Sequence, residues 1–187
     1  MPREIEIKLL VRDLDGIRLS LLRAGFRPSH RSFEDNLVFD TPDRKLRRKA
    51  QLLRLREYRR RAVLTFKSRL AGSRRYKVRA EEELLLSSRE TMRIILERLG
   101  YRIAFRYQKY RTPFRSTREP DLCLYLDETP IGVFLELEGR PAAIGRVARR
   151  LGFRPADYVT LTYADLYAEV CRREGKRPSH MLFEPGH

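Results

Sequence analysis

The chain is poor in the side chains that most often build metal clusters and covalent active sites. Two cysteines, Cys123 and Cys171, in 187 residues are too few and too far apart for a disulfide scaffold or a thiolate zinc site. Cys123 sits between Leu122 and Leu124 on a strand-like stretch, where packing is its expected role. The three histidines, His30, His180 and His187, fall in loop-like or terminal sequence and are expected to face solvent. There is no glycine-rich phosphate loop and no nucleophile elbow. No run approaches the ~18 apolar residues of a membrane span. The start, Met1-Pro2-Arg3-Glu4, leads straight into patterned sequence and leaves no room for a signal peptide, so the expected location is cytoplasmic.

Negative charge is also in deficit. Lysine and arginine number 41 against 25 acids, a formal net charge of +16. That imbalance points to a polyanionic partner: a nucleic acid, an anionic surface or a phosphate-rich small molecule. The densest basic runs, Arg44–Lys49 and Arg59–Arg61, lack the interleaved aromatic residues on which bases stack. Nucleic acid is therefore the weaker option, and solvated loop charge is the simpler reading of those runs.

What the chain has is alternation. Residues 3–11, 33–40, 51–58, 61–68, 75–86, 101–107, 108–115, 121–127 and 131–138 alternate apolar and polar side chains, as half-buried strands do. Helical spacing appears over residues 13–25, with Asp13 as cap and Gly25 as stop. It recurs after Ser87, where Ser87-x-x-Glu90 reads as a capping box. Further helices are expected from Pro141 to Gly152 and over residues 161–173. Ala71-Gly72-Ser73 reads as a loop. Many strands with short connections predict antiparallel pairing and an α+β fold. The expected organisation is one domain over residues 1–170. Residues 171–187 supply the end of the last helix and a loose tail.

The polar face of these strands is ionic rather than merely polar. In Glu4-Ile5-Glu6-Ile7-Lys8, two carboxylates and an ammonium share one face while the isoleucines share the other. Arg54/Arg56, Lys67, Arg79/Glu81/Glu83, Lys109/Arg111, Asp127 and Glu136/Glu138 repeat the arrangement. A plain solvent face would mix in Ser, Thr, Asn and Gln. Closing such a sheet puts the charges in the lumen and leaves the apolar face for helices to cover. An interior of that kind needs a ligand or mutual pairing, because unpaired buried charge is costly. Arginine forks and lysine ammoniums grip phosphate oxygens. Carboxylates cannot, but they hold Mg²⁺ or Mn²⁺, which bridge carboxylate to phosphate. The combination suits a metal-bound polyphosphate.

As an ordered set these segments resemble the CYTH superfamily, the triphosphate tunnel metalloenzymes. The amino-terminal ExExK is Glu4–Lys8. It is followed by Leu53-Arg54-Leu55-Arg56-Glu57, Leu64-Thr65-Phe66-Lys67, Arg79-Ala80-Glu81-Glu82-Glu83, Lys109-Tyr110-Arg111, Leu126-Asp127 and Phe134-Leu135-Glu136-Leu137-Glu138. Asn36–Thr41 resembles the family's second strand, and Thr162-Tyr163 stands where many members have Ser-Tyr. The resemblance implies a closed, eight-stranded antiparallel barrel with a charged lumen and helices outside. It implies Mg²⁺ or Mn²⁺ on Glu4, Glu6, Glu136 and Glu138. It implies a triphosphate on Lys8, Arg54, Arg56, Lys67, Arg79, Lys109 and Arg111. Lys8, Glu81, Glu83 and Asp127 are the expected catalytic group. Glu81 and Glu83 position water or a second metal, and Asp127 orients a basic neighbour or a water. The implied activity is hydrolysis of a triphosphate, inorganic, nucleoside or thiamine. Cyclisation of ATP to cyclic AMP is the alternative, and a non-catalytic polyphosphate or RNA-end binder is a further one. The implied partner is a small-molecule triphosphate with no membrane; a homodimer stays open.

Overall fold

Residues 3–70 and 75–184 are described by the computed structural model; the expected loop Ala71-Gly72-Ser73 lies outside them. The first strand, β1 (Arg3–Val11), leads into α1 (Leu14–Arg23), which is capped by Asp13 accepting from the Gly16 amide. Next come β2 (Arg27–Pro28), β3 (Ser32–Asp40) and a short α2 (Lys45–Arg48). Three strands in series follow, β4 (Gln51–Tyr58), β5 (Arg61–Arg69) and β6 (Lys77–Leu86). Beyond α3 (Arg89–Arg98) lie β7 (Arg102–Arg115), β8 (Cys123–Thr129) and β9 (Gly132–Glu138). The chain continues through α4 (Pro141–Arg150) and α5 (Tyr163–Arg173).

The strands run β7-β3-β4-β5-β6-β1-β9-β8, and β8 pairs back onto β7, so the sheet closes. Every pairing is antiparallel. The expected eight-stranded barrel is therefore present, with β2 as a ninth strand on the end of β7 through Arg27 and Pro28. Alternation does the rest. Ile7 and Leu9 of β1 face outward and meet Ile17 and Leu21 of α1 and Ile144, Val147 and Ala148 of α4. On the far side Leu96 of α3 covers Leu37, Phe39, Leu53 and Leu55. The helices thus bury the outer face and leave the inner one to the charges. No helix among the described residues is long and apolar enough to cross a membrane.

Four details depart from the sequence reading. Residues 102–115 form one strand rather than two; Tyr107 and Gln108 continue the alternation without a break. The α3 cap is Ser88, accepting from Thr91 N, one residue after the expected Ser87. The basic run after residue 44 forms α2, because the Asp40 carboxylate accepts from the amides of Leu46 and Arg47 at 2.8 and 3.0 Å. The end of the chain is not loose over residues 180–183. Met181 is fully buried, its amide donates to Arg106 O, and its carbonyl accepts from Gln108 N. It thereby pairs with the β7 edge that β8 leaves open.

Candidate active site in the charged tunnel

Inward-facing residues on all eight barrel strands form one alternating chain of ion pairs. Glu81 pairs with Lys67 at 2.8 Å, and Lys67 with Glu4 at 2.6 Å. Arg79 reaches both Glu4 and Glu6, and Lys8 joins Glu6 to Glu136 at 3.4 and 3.3 Å. Arg111 then bridges Glu136 to Asp127. Asp127 holds Lys109 at 2.7 Å. Lys109 meets Glu34 at 3.6 Å, Glu34 meets Arg56, and Arg56 and Arg54 both reach Glu83. The path begins and ends on β6.

The sheet register explains this. Glu4 lies opposite Arg79 on β6, and Lys8 opposite Glu136 on β9. Lys67 lies opposite Glu81, and Arg111 opposite Asp127. In these four pairs unlike charges face each other across neighbouring strands, which is the favourable cross-strand arrangement, whereas Glu6 lies opposite Glu138. The network sits in a low-dielectric interior, and some of its members are shifted. Burial pushes Glu6 and Glu136 up, but the cations beside them outweigh it and hold both well below the usual carboxylate range. Burial works against Glu34 too, yet Lys109, Arg111 and Arg56 hold it at about 2. Burial and the neighbouring Lys8 push Lys77 down to about 7.

Every expected site residue faces this lumen, and all but one belong to the ion-pair path. The exception is Glu138, which has no ion pair among the described residues. Burial, then the charges of Glu4, Glu6 and Glu81, push it up to about 7 against the pull of Lys67. Near it, Glu4 Oε2 is buried without a hydrogen bond. A carboxylate crowded by carboxylates and a neighbouring oxygen without a hydrogen-bond donor supply hard oxygen ligands, with Lys67 and Arg79 also standing beside Glu4. That fits Mg²⁺ or Mn²⁺. Among the described residues no three acidic, histidine or cysteine groups already converge as a cation cage. Glu4, Glu6 and Glu136 are turned instead toward lysine and arginine.

Asp127 is fully buried and accepts from Lys109, Arg111 and the Tyr163 hydroxyl. Glu81 and Glu83 are the more open carboxylates, with side chains 20% and 43% exposed.

Glu34, Lys77 and Tyr163 also reach the lumen and are not among the site residues expected from the sequence. Glu34 is flanked by Asp35, so the acidic pair alone does not tell which side chain points inward; its two-residue offset from Asn36 was the available signal. Lys77 lies at the start of β6, two residues before Arg79. Tyr163 comes from α5, where strand alternation gives no guide. Its ring lies 5.3 Å from Lys8 Nζ and 5.2 Å from Lys109 Nζ.

Comparison with known proteins agrees with this architecture. A family model described as the CYTH domain matches residues 2–151. A Methanocaldococcus jannaschii protein named as a "putative adenylate cyclase" is 28% identical over 136 residues, 72% of this chain and 75% of its own. A solved Pyrococcus horikoshii protein superposes with a TM-score of 0.76 at 21% identity, covering 89% of this chain and 99% of its own. A Hippeastrum protein superposes with a TM-score of 0.59 at 22% identity over 94% of this chain and 97% of its own. Its structure is described as that of a putative adenylyl cyclase with a dominant triphosphatase activity. At these identities the two structures speak for the fold alone.

Proposed function

Because the chain belongs to the CYTH domain family, we propose that it is a divalent-metal-dependent hydrolase that releases orthophosphate from a triphosphate. The observation that carries this reading is the path of lumen ion pairs that runs around the barrel from Glu81 to Glu83 and omits Glu138. Buried cations and carboxylates neutralise one another there. A triphosphate, with about four negative charges near neutral pH, competes for the cations and frees carboxylates. Those carboxylates are ready-made partners for a divalent cation. Triphosphate and cation entering together exchange partners without leaving a charge buried alone.

Glu4, Glu6, Glu136 and Glu138 would hold the cation, whose chemistry is to neutralise non-bridging phosphate oxygens. Lys8, Lys67, Arg79 and Arg111, freed from those glutamates, take the phosphate oxygens, joined by Arg54, Arg56 and Lys109. Asp127 keeps Lys109 and Arg111 aimed at the lumen through its buried hydrogen bonds. Glu81 or Glu83 accepts a proton from the attacking water as its oxygen bonds to the terminal phosphorus, the bond from that phosphorus to its bridging oxygen breaks, the diphosphate departs as the leaving group and the terminal group is released as orthophosphate.

A second reading is supported by the name of the archaeal relative. In it the ribose 3′-oxygen of ATP attacks the α-phosphorus, giving cyclic AMP and pyrophosphate from the same lumen. Incubation with Mg²⁺ or Mn²⁺ and either tripolyphosphate or ATP, followed by ³¹P NMR, separates the two. Orthophosphate as the first product supports hydrolysis. Pyrophosphate with cyclic AMP replaces it by cyclisation, and no product with either substrate rejects both.

A further inference from the structure

The basic run Arg59–Arg61 contains no aromatic residue, but the fold sets it beside several. Tyr58 pairs with Arg61 across β4 and β5, so Arg59 and Arg60 form a two-residue hairpin loop. Glu34 lies opposite Tyr58, which brings the loop level with Phe33 at the start of β3. Phe33 lies opposite Tyr110 on β7, with ring centroids 5.2 Å apart, and Phe183 packs against Tyr110 in turn. Alternation turns Phe33 away from the lumen that Glu34 faces, and its side chain is 41% exposed. Phe33, His30, Arg59 and Arg60 line one surface cleft of about 500 Å³.

The hairpin is built against its own local preference. Arg59 and Arg60 have φ of +48° and +58°, the type I′ geometry for which Asn-Gly is favoured. Arginine is strained there, because its Cβ crowds the following carbonyl. Strain kept at an exposed loop tip points to a use for the side chains. The acids on this face are already held: Asp35 by Arg89 and Arg106, Glu57 by Arg89, and Glu128 by Arg18 and Arg31. Arg59 donates to the His30 carbonyl at 2.6 Å, and among the described residues neither it, Arg60 nor Arg61 has an ion pair.

Unpaired guanidiniums suit the phosphates of a polynucleotide backbone. An exposed ring beside them offers a face on which a base can stack. A base inside a duplex is already stacked on its neighbours and cannot reach that ring. We propose that this face of the barrel binds a single-stranded polynucleotide, with phosphates on Arg59 and Arg60 and a base on Phe33. The surface lies outside the lumen and is independent of the triphosphate reading above.

Fluorescence anisotropy tests this with 5′-hydroxyl single strands of about twelve nucleotides, one of RNA and one of DNA, and with the matching duplex. Strands without terminal phosphates keep the lumen out of the measurement. The wild-type protein is expected to bind the single strands with a Kd of about 1–100 μM at physiological salt, more tightly than the duplex. Excess tripolyphosphate with Mg²⁺, at matched ionic strength, should not displace them. Arg59→Asn combined with Arg60→Gly gives the loop its favoured residues, so this variant should melt no lower than the wild type. Its affinity should fall about tenfold and its salt slope by about 1.4, as two phosphate contacts on a single strand require. Phe33→Ala should weaken binding about tenfold with the slope unchanged. Duplex bound as tightly as the single strands, displacement by tripolyphosphate, or unchanged affinity in either variant overturns the proposal. A preference for RNA or for DNA upholds it and identifies the polymer.

Discussion

Tyr163 donates its hydroxyl to Asp127 Oδ2 at 2.8 Å, and that bond ties α5 to the wall of the tunnel. Asp127 in turn holds Lys109 and Arg111. Tyr163→Phe keeps the ring against Phe134 and Tyr107 and removes one of the four side-chain hydrogen bonds to Asp127. The carboxylate keeps its two cations, so the expected stability loss is about 0.5–1.5 kcal/mol. Turnover should fall severalfold, because Lys109 and Arg111 lose a fixed anchor. Urea denaturation and kcat/KM measured side by side check this; a variant unchanged in both would mean that the hydroxyl positions nothing.

Asp127→Asn asks more of the fold. It leaves Lys109 and Arg111 buried with too little negative charge, and breaking a buried pair in this way costs roughly 3–5 kcal/mol. An anion in the lumen would restore the balance. Tripolyphosphate should therefore raise the melting temperature of Asp127→Asn by more than it raises that of the wild type. Equal shifts in the two proteins would show that the phosphates do not reach Lys109 and Arg111.

Glu34 predicts an acid limb. Burial opposes its ionisation, but Lys109, Arg111 and Arg56 hold it at about 2, below its ordinary value of 4.5. The unfolded chain binds the proton first as pH falls. The stabilisation is therefore complete above about pH 4.5 and is lost as pH drops toward 2, with an upper bound of roughly 3 kcal/mol. Glu34→Gln should be less stable than the wild type at pH 7, and its stability should fall less steeply between these limits. Parallel acid limbs in chemical denaturation would remove Glu34 from the network.

Most of this lumen was legible because a strand writes its two faces into alternate residues. Glu4-Ile5-Glu6-Ile7-Lys8 states which side chains meet across the tunnel before any partner is known. The signal failed where something other than alternation decides the structure. Lys45–Arg48 has no apolar period, and its helix depends on Asp40 reaching over from β3. Arg27-Pro28 is too short to show a pattern. Met181 docks because β8 leaves one edge of β7 open, which is a property of closure and not of the tail's own composition. Glu138 looked equivalent to Glu136, and only the register shows that Lys8 and Arg111 serve one and not the other.

Met181 gives a test of the tail. It is fully buried against Phe105 and Tyr107, and Phe183 packs on Tyr110 with ring centroids 5.3 Å apart. Met181→Ala should cost about 2–5 kcal/mol, a large effect for a residue so near the end of the chain. Hydrogen exchange at the amides of Gln108 and Met181 should accelerate in the variant, since those two bonds seal the β7 edge. Unchanged stability and protection would mean that the tail contributes nothing to the barrel.

Glu4 and Glu138 are both expected to hold the divalent cation, yet their surroundings differ, and that difference isolates the metal from the fold. Glu4 is bound to Lys67 and lies beside Arg79; Glu138 has no ion pair and is crowded by Glu4, Glu6 and Glu81. Without metal, Glu4→Gln should destabilise the protein by about 1–3 kcal/mol, because Lys67 and Arg79 lose a buried partner. Glu138→Gln should leave the metal-free protein as stable as the wild type or more so, because it removes like-charge repulsion. In Mg²⁺ or Mn²⁺ with tripolyphosphate the two variants should converge. Both should lose most of the ligand-dependent rise in melting temperature, which scales with the logarithm of ligand over Kd. EDTA should abolish that rise in the wild type and change little in either variant. A full metal-dependent rise in Glu138→Gln would take Glu138 out of the metal site and leave its crowding without a function.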